Sequence, residues 1–276
     1  MADSKPAGTD MARPGLVYRH RLATRTWHWL NVVTLFVMLM SGLTIFNAHP
    51  RLYWGAYGAD QDQAWLQIGA AGDRGYLRVG DLAIDTTGLL GRWTNEAGNP
   101  VNRAFPSWAT IPSSYNLALA RHWHLFFAWI FAGGILLYAL WSLASRHLTR
   151  DLLPTRAELR PAHILHDIGQ HARLRFPKGE AAKRYNVLQK LAYCAVLLVL
   201  LPLVALTGLT MSPALNTAWP WLLDLFGGRQ SARSLHFVAA TLIVLFVLVH
   251  VAMVVLAGPL NEIRSMVTGR YRLPKE

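Results

Sequence analysis

The sequence predicts an all-α membrane protein, a four-transmembrane-helix bundle with one large loop between its first two helices. Three observations carry that expectation. Hydrophobic residues make up 53% of the chain and charged ones 15%, where a soluble domain averages about a quarter charged. The apolar residues gather in four runs, each close to the roughly 20 residues that cross a hydrocarbon core about 30 Å thick. The basic residues are divided unevenly between the segments that join these runs, as the positive-inside rule requires of a polytopic membrane protein.

The four spans are expected at 27–46, 122–144, 187–211 and 234–257. Residues 1–15 are polar with Pro and Gly, and are expected to be disordered. The first run is long and is followed by Asn47-Ala48-His49-Pro50, without a small-x-small cleavage site, so it reads as a retained helix. Segment 47–121 is rich in Gly and Trp and should form turns and short strands capping one membrane face. Segment 145–186 is basic, and its middle could form a short interfacial helix. Pro202 should kink the third span. Residues 261–276 form a tail, and no internal repeat is visible.

The segments that would share one side with both termini hold 19 of the 27 Lys and Arg and a net charge of +11, against +1 on the other side. This puts both termini in the cytoplasm and the long loop in the periplasm of a bacterial inner membrane. The formal charge of +12 is thus a topology signal with anionic lipid as a secondary partner, and nucleic acid is not expected. The single cysteine, Cys194, excludes internal disulfides, a cysteine-ligated cluster and a CxxCH haem attachment.

Ionisable residues within spans are costly, and they default to functional hypotheses. His236 and His250 stand fourteen residues apart on the fourth span. At about 1.5 Å and 100° per residue they lie about 21 Å apart and within about 40° of the same helix face. Two haems stacked across a membrane need ligands placed this way. His28 opens the first span on the cytoplasmic side, at the level of His250. His124 opens the second on the periplasmic side, at the level of His236. Depth therefore pairs His28 with His250 and His124 with His236 as axial ligands of two b-type haems, with His122 as the fallback for His124. Neutral imidazole suits iron. The competing interpretation is four interfacial histidines bonded to backbone.

Arg25, Arg121 and Arg233 each precede one of these histidines by three residues. That spacing shares a helix face one turn nearer water, where a guanidinium could meet haem propionates; ordinary basic flanking is the alternative. Gly42 and Gly208 fall at the depth of the periplasmic-side haem and could let a flat macrocycle approach, or could simply serve helix contacts. His163, His166 and His171 sit in the basic loop. Three function classes remain open on the residues alone: an electron-transfer cytochrome, a haem-free membrane anchor and a transporter with a histidine pathway.

The stretches Arg25-Thr26-Trp27-His28-Trp29-Leu30-Asn31, Ser41-Gly42-Leu43, Leu235-His236-Phe237 and Val249-His250-Val251 resemble bacterial di-haem cytochrome b subunits. That family serves nickel–iron hydrogenases, formate dehydrogenases and thiosulfate reductases. Arg121-His122-Trp123-His124 departs slightly, since relatives have one histidine, after the Trp; the resemblance places the ligand at His124. It extends over residues 16–274 and includes Phe46-Asn47-Ala48-His49-Pro50, Tyr185-Asn186-Val187-Leu188-Gln189-Lys190 and Gly227-Gly228-Arg229-Gln230-Ser231-Ala232-Arg233. It is strongest to the branch that accompanies periplasmic molybdopterin oxidoreductases. The resemblance implies electron exchange between the quinone pool, near the cytoplasmic-side haem, and a periplasmic oxidoreductase of molybdopterin type. Tyr185, Asn186, Gln189 and Lys190, where the third span starts, could bind the quinone head group; interfacial anchoring is the alternative.

Overall fold

A computed structural model describes residues 16–59, 61–173 and 186–273; the expectation for 1–15, and Tyr185 with it, lies outside the described residues. Four helical stretches are long and apolar enough to cross a membrane: α1 (Leu22–Phe46), α2 (Leu117–Ala144), a third that runs Val187–Thr210, and α8 (Arg229–Ala257). They pack as two antiparallel hairpins, α1 along α2 and the third stretch along α8. Each start has a local cause where the sequence supplies a cap. Asn116 accepts a hydrogen bond from the Leu119 amide at the head of α2. Asn186 and Gln189 form a reciprocal capping box at the head of the third stretch.

That third stretch is α4 (Val187–Cys194), a π-helical segment Ala195–Leu200, and α5 (Leu201–Thr210). Pro202 has no N–H for the carbonyl one turn back, and the wider turn directly before it absorbs the mismatch. The short helices α6 (Pro213–Ala218) and α7 (Pro220–Leu225) link it to α8, and α9 (Pro259–Thr268) follows α8.

The long loop folds into short strands joined by turns, as expected. Strands β2 (Arg51–Leu52), β3 (Leu66–Ala71), β4 (Arg74–Val79) and β5 (Leu82–Asp85) make one antiparallel sheet, and β6 (Arg92–Thr94) pairs with β7 (Pro100–Asn102). Leu52, Leu66, Ile68 and Ala104 bury against Phe46 at the end of α1, with Phe237 of α8 alongside. The cap is therefore seated on two helix ends. Trp65 donates to Ser234 of α8 at 2.9 Å, and Trp93, only 6% exposed, donates to the Arg103 carbonyl at 3.1 Å. At the opposite end, β1 (Leu16–Tyr18) pairs antiparallel with β8 (Arg270–Arg272), clasping the two ends of the described chain together. The basic segment contains α3 (Pro161–Ala172).

Candidate functional site

The four predicted histidines meet in pairs across helices. The His28 and His250 ring centres are 6.3 Å apart with planes at 59°. His124 and His236 are also 6.3 Å apart, at 63°. Two imidazoles on opposite faces of one iron, with N–metal bonds of about 2.0 Å each, hold their ring centres roughly 6 Å apart. Both pairs have the spacing that one metal between them requires, so these residues fit axial ligation of haem.

The His124/His236 pair also has its tautomers fixed. His124 Nδ1 lies 3.0 Å from the Met38 carbonyl and His236 Nδ1 2.9 Å from the Val204 carbonyl. A carbonyl only accepts, so each Nδ1 carries the proton and each Nε2 keeps the lone pair a metal needs. Ser41 Oγ and Thr207 Oγ1 stand 3.2 Å from the same nitrogens. A Cβ added at Gly42 would come within 3.3 Å of His124 Cε1, and one at Gly208 within 3.3 Å of His236 Cε1. The glycines therefore let the imidazole ring, rather than only a macrocycle, approach the helix.

These two environments are copies. Ser41-Gly42-Leu43-Thr44 on α1 and Thr207-Gly208-Leu209-Thr210 on α5 do the same work for a histidine on the next long helix. The absence of any internal repeat, expected from the sequence, is corrected on this point. The four-residue match was the available signal, but it is too short to stand out without its geometry.

The His28/His250 pair is held more loosely. His28 Nδ1 is buried without a hydrogen-bond partner among the described residues, and His250 stacks on Phe246 at 5.8 Å. Between the two pairs lies an apolar layer of Phe131, Leu201, Val204, Ala239 and Ile243.

The remaining predicted residues are placed as follows. His122 is exposed, on a different side of α2 from His124. Arg25 donates to the Val267 carbonyl at 2.6 Å and Arg233 to the carbonyls of Arg51 and His49. Both guanidiniums thus fasten extramembrane chain onto a helix; Arg121 is exposed. Asn186 and Gln189 are engaged in their capping box, and Lys190 Nζ binds both Glu158 oxygens at 2.9 and 3.0 Å. Against the raising effect of burial, Lys190 and Thr155, the latter through its backbone N–H and its hydroxyl, hold the Glu158 carboxyl below its usual range. Of the loop tryptophans, Trp54 and Trp108 are exposed, whereas Trp65 and Trp93 serve the cap itself.

The fold and these pairs define a class: a multi-pass membrane protein whose long helices meet through facing histidines. Comparison with known proteins identifies it further. Residues 19–269 match the model of the prokaryotic cytochrome b561 family, and the chain belongs to that family, whose membership implies haem b and electron transfer. It is also 26% identical over 235 residues, 84% of this chain and 87% of the other, to the "Putative protein-methionine-sulfoxide reductase subunit YedZ1" of Azospira oryzae.

Proposed function

We propose that this protein is the membrane subunit of an oxidoreductase, passing electrons across the inner membrane between quinone and a periplasmic enzyme. The observation that carries the reading is the pair of cross-helix histidine couples at equal 6.3 Å spacing. His28 and His250 would hold one haem b on the cytoplasmic side, and His124 and His236 a second on the periplasmic side. When bound, haem supplies reversible one-electron chemistry.

The chain's own contribution is position. Met38 and Val204 orient the outer imidazoles, Gly42 and Gly208 admit them, and the apolar layer around Phe131 separates the two sites. Charge asymmetry supports cytoplasmic termini. The relative's name, a subunit of a sulfoxide reductase, favours an oxidoreductase partner, which we take to be of molybdopterin type. Exposed Trp54 and Trp108 on the β-cap suit its docking. Quinone would exchange beside His28 and His250. Because Asn186, Gln189 and Lys190 are engaged locally, they would shape that site's edge.

Haem content and redox titration of purified variants test the assignment. The parent should show reduced b-type bands and two haems per chain. His124→Ala should keep the component held by His28 and His250, and His122→Ala should keep both. A single haem in the parent, or loss of one in His122→Ala with both kept in His124→Ala, would overturn it.

A further inference from the structure

Polar groups line the seam between α1 and α2 at the end that carries the clasped termini. On α1, Thr24, His28 and Asn31 follow the i, i+4, i+7 rhythm of one helix face. On α2, Tyr138, Ser142 and Ser145 follow the same rhythm in the opposite chain direction. Stacking of Trp27 on Tyr138 at 5.2 Å sets the two stripes against each other. His28 Nδ1, Asn31 Oδ1, Ser142 Oγ and Ser145 Oγ are all buried without a hydrogen-bond partner among the described residues, and the Thr24 hydroxyl faces that of Tyr138. One such atom is an accident of packing, but a file of them running inward from the membrane edge is costly unless water or a ligand satisfies it. Polar, roomy files of this kind hold hydrogen-bonded water.

The mouth of the seam carries a titratable pair. In the π-helical turn Leu148–Leu152 that follows α2, Asp151 Oδ2 meets His147 Nδ1 at 2.6 Å. The Asp151 side chain is 39% exposed and that of His147 only 9%, so the pair reaches from solvent to interior. His147 faces inward onto Trp141 and Tyr138, with ring centres at 5.3 and 6.5 Å. Leu152, next in the turn, is buried, and its carbonyl is met by Cys194 of α4. His20, from the start of the chain, lies near His147, with Arg19 and Arg25 near His20 in turn. Arg146 and Arg150 flank the pair on the turn, and Lys190, paired with Glu158, lies on the side of α4.

We propose that this seam, entered through Asp151 and His147, is the proton path for quinone chemistry beside His28. The proposal rests on the quinone reading above and goes beyond it. A quinone that takes two electrons from the protein takes up two protons, and a quinol giving two electrons releases two. Each proton passes singly between the Asp151 carboxylate and the His147 imidazole, which return to their starting states after each transfer. The hydroxyls of Tyr138, Ser142 and Thr24 continue the path towards His28. Haem does not need this path for electron exchange alone, because its one-electron steps carry no obligatory proton.

Asp151→Asn and His147→Gln, each in the full-length haem-loaded protein, separate the possibilities. Haem reduction is followed by stopped flow with a short-chain quinol and, separately, with a small one-electron dye. With quinol, both variants should slow by about ten- to a hundredfold, and added imidazole or formate should restore part of the rate. With dye, the rate should match the parent. Redox-induced infrared difference spectra should lose a carboxyl band in Asp151→Asn. Parent-like quinol rates in both variants would overturn the path, as would equal slowing with quinol and dye, which marks a structural role. A parent that reduces with dye but never with quinol would overturn the underlying quinone reading instead.

Discussion

At the residue scale, His124 and His236 show how little sequence it takes to orient an imidazole. One small hydroxylated residue, one glycine and one carbonyl a turn earlier orient each imidazole. The duplicate geometry makes a sharp expectation. Gly42→Ala and Gly208→Ala each place a methyl 3.3 Å from a ring carbon, closer than relaxed contact, and overpacking of this size costs about 1–3 kcal/mol. Both variants should shift the midpoint of the same haem component, by similar amounts, while the other component stays put. Redox titration monitored at the reduced band reads this. A response from one glycine alone would show that the two environments are not equivalent. Which histidines meet across helices was legible beforehand, because depth and helical phase are arithmetic. The hydroxyl–glycine support was not, since Ser41 and Thr207 are unremarkable until their distance to a ring is known.

At the element scale, the spans were legible and the joints were not. Long apolar runs have no alternative to helix in lipid, so the bundle follows from hydropathy. The β-cap, expected as turns and short strands, is built largely of local hairpins such as β3–β4 and β4–β5, whereas the terminal clasp depends on pairing between distant segments, which period and propensity do not report. Leu16–Tyr18 is too short to announce a strand, and it becomes one only because Arg270–Arg272 lies beside it. Arg25 and Trp29 of α1 bind the carbonyls of Val267 and Met266 at 2.6 and 3.0 Å, and Arg19 pairs with Glu262 at 3.4 Å. His20 is buried inside this clasp, and burial, followed by the charge of Arg19, pushes its pKa from 6.5 down to about 4. An unfolded His20 would protonate near pH 6.5 while the folded one does not, so the clasp loses stability as pH falls from about 6.5 to about 4. The full loss approaches about 3 kcal/mol. Amide exchange in residues 16–18 and 270–272 should accelerate over that window and stay flat above it. In His20→Gln the acceleration should vanish. An unchanged profile in the variant would assign the pH response to another group.

At the scale of the whole molecule, the two hairpins are built on one plan and completed differently. Fourteen residues before Gly42 stands His28, and fourteen before Gly208 stands Cys194; fourteen after His124 stands Tyr138, and fourteen after His236 stands His250. The plan is thus duplicated around the outer histidines and broken at the inner ones, where only His28 and His250 form a couple. Every proposed ligand couple joins α8 to the first hairpin, through His28 of α1 or His124 of α2. Direct packing runs mainly within each hairpin, and the contact of α2 with α5 is slight by comparison. Two haems would therefore supply much of the cohesion between the halves. A group that binds only the assembled state stabilises it by RT ln(1 + [L]/Kd), about 4 kcal/mol per site at a thousandfold excess over Kd. Protein made under haem limitation should keep its helix content by circular dichroism, because each helix is satisfied internally. Its thermal unfolding should come at a lower temperature than the loaded form, and protease should cut between the hairpins far faster. Restoring haem should reverse both effects. His236→Ala with His250→Ala, which removes α8 from both couples, should reproduce the haem-limited behaviour even when haem is plentiful. Equal melting temperatures for loaded and depleted protein would show that the apolar layer around Phe131 holds the hairpins together unaided.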